Sequence, residues 1–205
     1  MAAVGDFNGD RSADILGANS GTGANVLWKP ASSAALQAVT GVTDLAWQVA
    51  DVGDFNGDGQ DDILWRNGST GANVIWRSAN SATPQAVTGV SDLAWQVADV
   101  ADFNGDRQAD ILWRNRSTGA NVIWKSASSA APLAVTGVTD LAWQVADARD
   151  FNGDGKVDIL WRTRCTGGYV IWKSARSATQ QAVTGRTKLH WTDRGGGVYS
   201  CYNSY

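Results

Sequence analysis

The residues with the most definite chemistry are Asp54-Phe55-Asn56-Gly57-Asp58-Gly59-Gln60-Asp61-Asp62, followed directly by Ile63-Leu64-Trp65-Arg66. Asp or Asn at alternate positions, Gly at the sixth and Asp at the ninth is a pattern by which a short loop gathers oxygen ligands around a hard cation before entering a strand. The pattern recurs from Asp6, Asp102 and Asp150, each start 48 residues after the one before. Three carboxylates in so short a loop repel one another, and a cation relieves that repulsion. The alternative is that Asp-x-Asn-Gly-Asp-Gly is a good turn former and nothing more. Four copies at one spacing weigh against it. Oxygen-only donors select Ca²⁺ over zinc or copper, and Mg²⁺ resists an all-protein cage.

Such loops need strands on both sides. In the second copy, residues 45–52 read as a first strand entering the acidic loop and residues 63–66 as a second leaving it. Asn67-Gly68-Ser69-Thr70-Gly71 has hairpin-turn chemistry. A third strand follows at 72–77, a polar connection at 78–84, a fourth strand at 85–88 and a turn at 89–92. Four short strands per 48-residue unit is the arithmetic of a β-propeller blade. Ile63 and Trp65 project to one side and Leu64 to the other, while Val74 and Trp76 oppose Ile75. A sheet apolar on both faces needs neighbours on both faces, and stacked blades supply them.

Composition agrees. The chain has 205 residues, 43% of them hydrophobic and 18% charged, as a globular protein does. All 20 acidic residues are Asp, a turn and cap residue, and none is Glu, which favours helices. Eleven Trp and 23 Gly point to strands joined by tight turns. A net charge of -3 with no Lys/Arg run argues against a nucleic-acid partner. No apolar stretch has the length of a membrane span, and the start has no signal-peptide shape. Residues 1–5 align with the second half of 47–53, so the chain is expected to begin inside a repeat unit. The repeats run to Trp191, which aligns with Trp47, Trp95 and Trp143, and residues 192–205 match nothing upstream. The expected domains are therefore a propeller over 1–191 and a divergent tail over 192–205. The Trp191 segment would supply the strand that residues 1–5 lack, closing four blades into a ring. The rival is a larger or homo-oligomeric ring, and both closures are open. Cys165 stands where Ser69 and Ser117 stand in earlier copies, which favours an incidental replacement over pairing with Cys201.

The motif Asp-Phe-Asn-Gly-Asp-Gly-x-x-Asp-Ile-Leu-Trp at 54–65 resembles the FG-GAP and VCBS repeats, calcium-binding β-propellers that include the integrin α head and secreted lectins. The resemblance implies an all-β propeller of four-stranded blades, one Ca²⁺ per repeat and a secreted or extracellular setting. It implies adhesion, sugar binding or a structural role without choosing among them. In loops of this type the side chains at positions 1, 3, 5 and 9 and the carbonyl at 7 are the ligands. Carried over, these are Asp6, Asn8, Asp10, Asp14 and the carbonyl of Ser12, then Asp54, Asn56, Asp58, Asp62 and that of Gln60. The third set is Asp102, Asn104, Asp106, Asp110 with Gln108, and the fourth Asp150, Asn152, Asp154, Asp158 with Lys156. Two copies depart from the pattern, with Arg11 and Arg107 at the sixth position where Gly59 and Gly155 stand. A turn there asks for φ > 0 and a positive charge approaches the ion, so weaker binding is expected at the first and third loops.

Catalysis has little to build on. The carboxylates are committed to the loops, the single His190 lies in the divergent end, and no nucleophile motif is present, so no enzyme is expected. For recognition, Trp65-Arg66-Asn67, Trp113-Arg114-Asn115 and Trp161-Arg162-Thr163 combine an aromatic face, a forked donor and, in the first two, an amide at one blade position. That mix suits glycans or glycoproteins, multivalently. The first copy has Gly17-Ala18-Asn19 instead. The competing role for these Trp residues is packing between blades, and the competing function is a protein-binding adhesion or scaffold module.

Overall fold

The computed structural model describes residues 3–29, 36–164 and 167–183. Expectations for Cys165, Cys201, His190, Trp191, ring closure and the 192–205 tail fall outside these residues. The described chain forms four antiparallel four-stranded sheets, each with its strands in chain order. The first blade holds β1 (Ala3–Gly5), β2 (Asp14–Ala18), β3 (Asn25–Trp28) and β4 (Leu36–Val39). The second holds β5 (Trp47–Gly53), β6 (Asp62–Asn67), β7 (Asn73–Trp76) and β8 (Pro84–Val87). The third holds β9 (Trp95–Ala101), β10 (Asp110–Asn115), β11 (Asn121–Trp124) and β12 (Leu133–Val135). The fourth holds β13 (Trp143–Arg149), β14 (Asp158–Thr163), β15 (Tyr169–Trp172) and β16 (Gln180–Val183). This is the all-β, propeller-like arrangement that the 48-residue period implies. No helix among the described residues is long and apolar enough to cross a membrane.

The strand limits differ a little from the sequence reading, for local reasons. β5 begins at Trp47 rather than 45 because Asp44 closes a turn there, its Oδ1 accepting from Ala46 N at 3.0 Å and its carbonyl from Trp47 N at 3.0 Å. β6 begins at Asp62, the ninth loop residue, since that carboxylate is buried and braced by backbone N–H groups.

The apolar core lies between blades. Phe55, Leu64, Ile75 and Val87 of the second blade pack on Ala109, Ile111, Trp113 and Ala127 of the third. The same contact joins Phe7, Leu16, Leu27 and Val39 to Ile63, Trp65 and Ala79. It recurs with Phe103, Leu112, Ile123 and Val135 against Ile159, Trp161 and Ala175. The second strands β6, β10 and β14 therefore send Ile and Trp backward, and β2, β6 and β10 send Leu forward, as strand alternation requires. A buried Leu or Ile contributes about 1.5–3 kcal/mol, so an isolated blade would forfeit most of its core. The first strands lie side by side, β1 next to β5, β5 next to β9 and β9 next to β13. At the outer edge Thr40, Thr88 and Thr136 hydrogen-bond Ser81, Ser129 and Ser177 of the following blade, at 2.6, 2.8 and 2.9 Å.

Candidate functional site

Each acidic loop joins the first strand of its blade to the second, so all four lie at one end of the blades and the hairpins at the other. In the second loop Asp54 Oδ1 accepts from Gly57 N at 2.6 Å and Asp58 N at 3.2 Å, and Oδ2 accepts from Gly59 N at 2.8 Å. Asn56 Oδ1 accepts from Asp58 N at 2.8 Å, and Asp58 Oδ1 from Gln60 N at 2.9 Å. Asp102, Asn104, Asp106 and Gln108 repeat these contacts, as do Asp150, Asn152, Asp154 and Lys156, and Asp6, Asn8, Asp10 and Ser12 do so except that Asp6 Oδ1 accepts from Asn8 N and Gly9 N. Side-chain oxygens thus wind the loop by capping its own N–H groups. Gly57 and Gly59 take φ of 79° and 83° to allow it. Arg11 and Arg107 are held in the same left-handed region, at 65° and 69°, where a side chain is strained.

The ninth-position aspartates, Asp14, Asp62, Asp110 and Asp158, are fully buried. Asp62 Oδ2 accepts from Phe55 N at 3.1 Å, closing the loop. Its Oδ1 accepts from Ser78 N at 2.8 Å, and Asp110 and Asp158 hold Ser126 and Ser174 in the same way. Those serines and the alanines after them are in the left-handed region, so this carboxylate also fixes the strained link between third and fourth strands. Asp14 differs: its Oδ1 is buried with no hydrogen-bond partner among the described residues. The residue aligned with Ser78 is Pro30, which has no N–H to give.

These observations fit a hard cation. The donors are all oxygen, Asp14 carries an orphaned buried oxygen, and burial pushes the Asp62 and Asp110 carboxyls up to about 6, a cost that a nearby positive charge offsets. Among the described residues no three acidic, His or Cys side chains already converge as a cage. Asn56 Nδ2 instead donates to Asp58 Oδ2 at 3.0 Å, bridging the third and fifth positions.

Neighbouring loops are joined. Asp61 N donates to the Asp6 carbonyl at 2.7 Å while Asp6 N donates to Asp61 Oδ2 at 2.7 Å, and Ala109 N donates to the Asp54 carbonyl at 2.7 Å. The first three loops are therefore hydrogen-bonded in series.

The Trp-Arg-Asn positions sit inside the interblade packing. Trp65, Trp113 and Trp161 are 3, 1 and 1% exposed, each tilted against the third-strand Trp of its own blade at 4.9–5.1 Å. These rings offer no open face for a sugar, because the preceding blade covers them. The Arg66 guanidinium lies over the Trp113 ring, with Cζ 4.9 Å from its centroid. Its Nη1 donates to the Gly71 carbonyl at 3.2 Å and Asn73 Oδ1 at 3.1 Å, and its Nη2 to the carbonyls of Val90 at 3.1 Å and Trp95 at 3.0 Å. Arg114 makes the same fork to Gly119, Asn121, Val138 and Trp143 over Trp161. Both are interblade clamps, and burial holds both guanidinium groups below their ordinary pKa. Asn67 and Asn115 are hairpin caps: Oδ1 accepts from two turn N–H groups and Nδ2 donates to Asp44 or Asp92. Arg162 is half-buried, and the residues aligned with Val90 and Trp95 in its case, Arg186 and Trp191, lie outside the described residues.

Three carboxylates not singled out in the sequence stand on the first strands. Asp51, Asp99 and Asp147 follow β-bulges in β5, β9 and β13, which re-aim side chains. Burial raises Asp51 to about 6, and burial with the Asp51 charge raises Asp99 to about 7. The repeat of Val-Ala-Asp in 49–51, 97–99 and 145–147 was the available signal.

Four-stranded blades, interblade cores and one acidic loop per blade define a propeller-type repeat domain. The chain belongs to the FG-GAP-like repeat family, with matches over residues 6–65, 54–113 and 102–161. Each match runs from one acidic loop to the second-strand Trp of the next blade, so it spans an interblade contact. FG-GAP-like repeats often bind calcium and are typically non-catalytic binding modules. No curated protein matches the chain.

Proposed function

We propose that the chain is a non-catalytic, extracellular recognition module whose loop tier is braced by Ca²⁺ and whose hairpin end reads carbohydrate in the clefts between blades. Each ion would be held by the first, third, fifth and ninth side chains of its loop with the seventh carbonyl. The ion supplies positive charge to a cluster of desolvated carboxylates, and the chain uses it to hold the strand junctions. The observation that carries the recognition reading is a cleft of about 420 Å³ between third and fourth blades, lined by Gln96, Arg114, Arg116, Leu141, Trp143 and Gln144. The amides of Gln96 and Gln144 and the exposed Arg116 guanidinium beside an apolar wall suit hydroxyl-rich ligands. This moves the sugar site from the buried second-strand Trp rings to the first-strand edge.

A protein partner, as in an adhesion module, is favoured by a different feature. Leu45, Leu93 and Leu141 occupy one repeat position at the hairpin end and are 44, 41 and 42% exposed. A glycan array separates the readings. Hits that Gln144→Ala abolishes while leaving the thermal midpoint unchanged support the carbohydrate site. A silent array, with partner capture lost on Leu93→Ser, supports the protein site.

A further inference from the structure

We infer that the gap between first and second blades is a receptor for a guanidinium group supplied by another molecule. Ala18 stands where Arg66 and Arg114 stand in the next two blades. A cavity of about 260 Å³ opens there, lined by Ala18, Gly23, Asn25, Val42, Trp47 and Trp65. In repeat register these are the positions of Arg66, Gly71, Asn73, Val90, Trp95 and Trp113, the arginine and the five groups that hold it. Every partner of the fork is retained and only the fork is missing.

The acceptors keep their orientation. Asn25 Nδ2 is pinned to the Thr40 carbonyl at 2.8 Å, as Asn73 Nδ2 is to Thr88 at 2.8 Å, so Asn25 Oδ1 is aimed as Asn73 Oδ1 is. Asn73 Oδ1 accepts from Arg66; Asn25, itself buried, receives no hydrogen bond on Oδ1 from any described residue. The Gly23 carbonyl accepts from Val42 N at 2.7 Å and Gly71 from Val90 N at 2.8 Å, so the backbone around the slot has one shape in both blades. Carbonyl-type oxygens around a flat indole match a planar, five-donor cation, and an ammonium fills the geometry less well. The mouth lies beside Ser20 and Leu45, both exposed, at the hairpin end. The inference does not depend on calcium or on carbohydrate binding.

The test uses methylguanidinium at millimolar concentration, with methylammonium as control and a short blocked arginine peptide as a second ligand. Indole resonances and the thermal midpoint are followed in the wild-type chain, Ala18→Arg, Ala18→Met and Arg66→Ala. Methylguanidinium should raise the wild-type midpoint and shift a Trp resonance where methylammonium does neither. Ala18→Arg should fill the slot from within, raise the midpoint by roughly 2–4 °C, the scale of a modest gain in a domain of this size, and lose the response. Ala18→Met should also lose it, which keeps the test valid if Ala18→Arg folds poorly. Arg66→Ala should gain a second responsive slot. A peptide at least tenfold tighter than methylguanidinium identifies a protein arginine as the source, and equal affinity a free guanidino compound. Equal responses to the two small cations, an undiminished response in Ala18→Met, or a response in Arg66→Ala with none in the wild type overturns the inference.

Discussion

Replacing Arg114 with Ala removes the clamp between the third and fourth blades, and the structure sets the scale of the loss. Four hydrogen bonds of 3.0–3.1 Å and a ring contact at 4.9 Å disappear together. Bonds from a charged donor contribute ~1.5–3 kcal/mol each by substitution, a sum that overshoots because the guanidinium also regains its hydration. Water entering the vacated slot would re-solvate some of the carbonyls. Counting about 0.5–1 kcal/mol for each of the four acceptors left imperfectly paired and ~0.5–2 kcal/mol for the ring contact gives a net loss of about 2.5–6 kcal/mol. With a urea slope of ~2 kcal/mol per M, the unfolding midpoint falls by about 1.2–3 M. Arg114→Lys keeps the charge but not the planar fork and should lose about half as much. The exposed neighbour Arg116, changed to Ala, should stay within ~0.5 kcal/mol. Urea denaturation of the three variants is the assay. An Arg114→Ala midpoint equal to that of Arg116→Ala would refute the clamp and the energetic reasoning behind it.

Other perturbations have equally definite outcomes. Asp51 and Asp99 are raised in the fold to about 6 and about 7 from 3.8, in a group that includes Asp147 and Arg149. The folded chain therefore binds more protons than the unfolded one, and their contribution is full below pH 3.8 and lost as pH rises through 6 and 7. Asp99→Asn should flatten that fall and raise stability at pH 8, read from denaturation midpoints across pH; an unchanged profile contradicts the burial argument. Arg107→Gly should relieve the left-handed strain and stabilise by about 1 kcal/mol, while bringing the third loop's calcium affinity toward that of the second and fourth in calorimetric titration. Four equivalent sites in the unaltered chain would count against the grading of the loops. Chelation should lower the thermal midpoint, by the equivalent of ~2.7 kcal/mol if the ion had been at a hundredfold excess over its Kd; an unmoved midpoint means the Asx turns suffice.

The fold was largely legible because its signals are local. The alternation Ile63-Leu64-Trp65 names the two faces of β6, and Asn67 to Gly71 names the hairpin, with no knowledge of anything beyond the blade. The loop's turn chemistry was legible for the same reason. The destination of Arg66 was not. Its acceptors include the backbone carbonyls of Val90 and Trp95, 24 and 29 residues further along, and its ring partner belongs to the next blade. An Arg beside a Trp in sequence suggested a paired surface site, whereas strand alternation sends the two to opposite faces. Asp62 was read as a metal ligand and also proves to be the anchor of Ser78, 16 residues on, a contact no spacing announces.

The sequence by itself determined the blade: its period, strand faces, turns and the acidic loop, all set by backbone preference and by which side of a strand a residue must occupy. Only the tertiary structure decided what lies between blades. There the Trp rings are walls rather than platforms, the arginines are clamps, and one missing arginine leaves a slot. The physical reason is that a blade folds by local rules, while the space between two blades is closed by side chains and carbonyls that meet only when the blades stack.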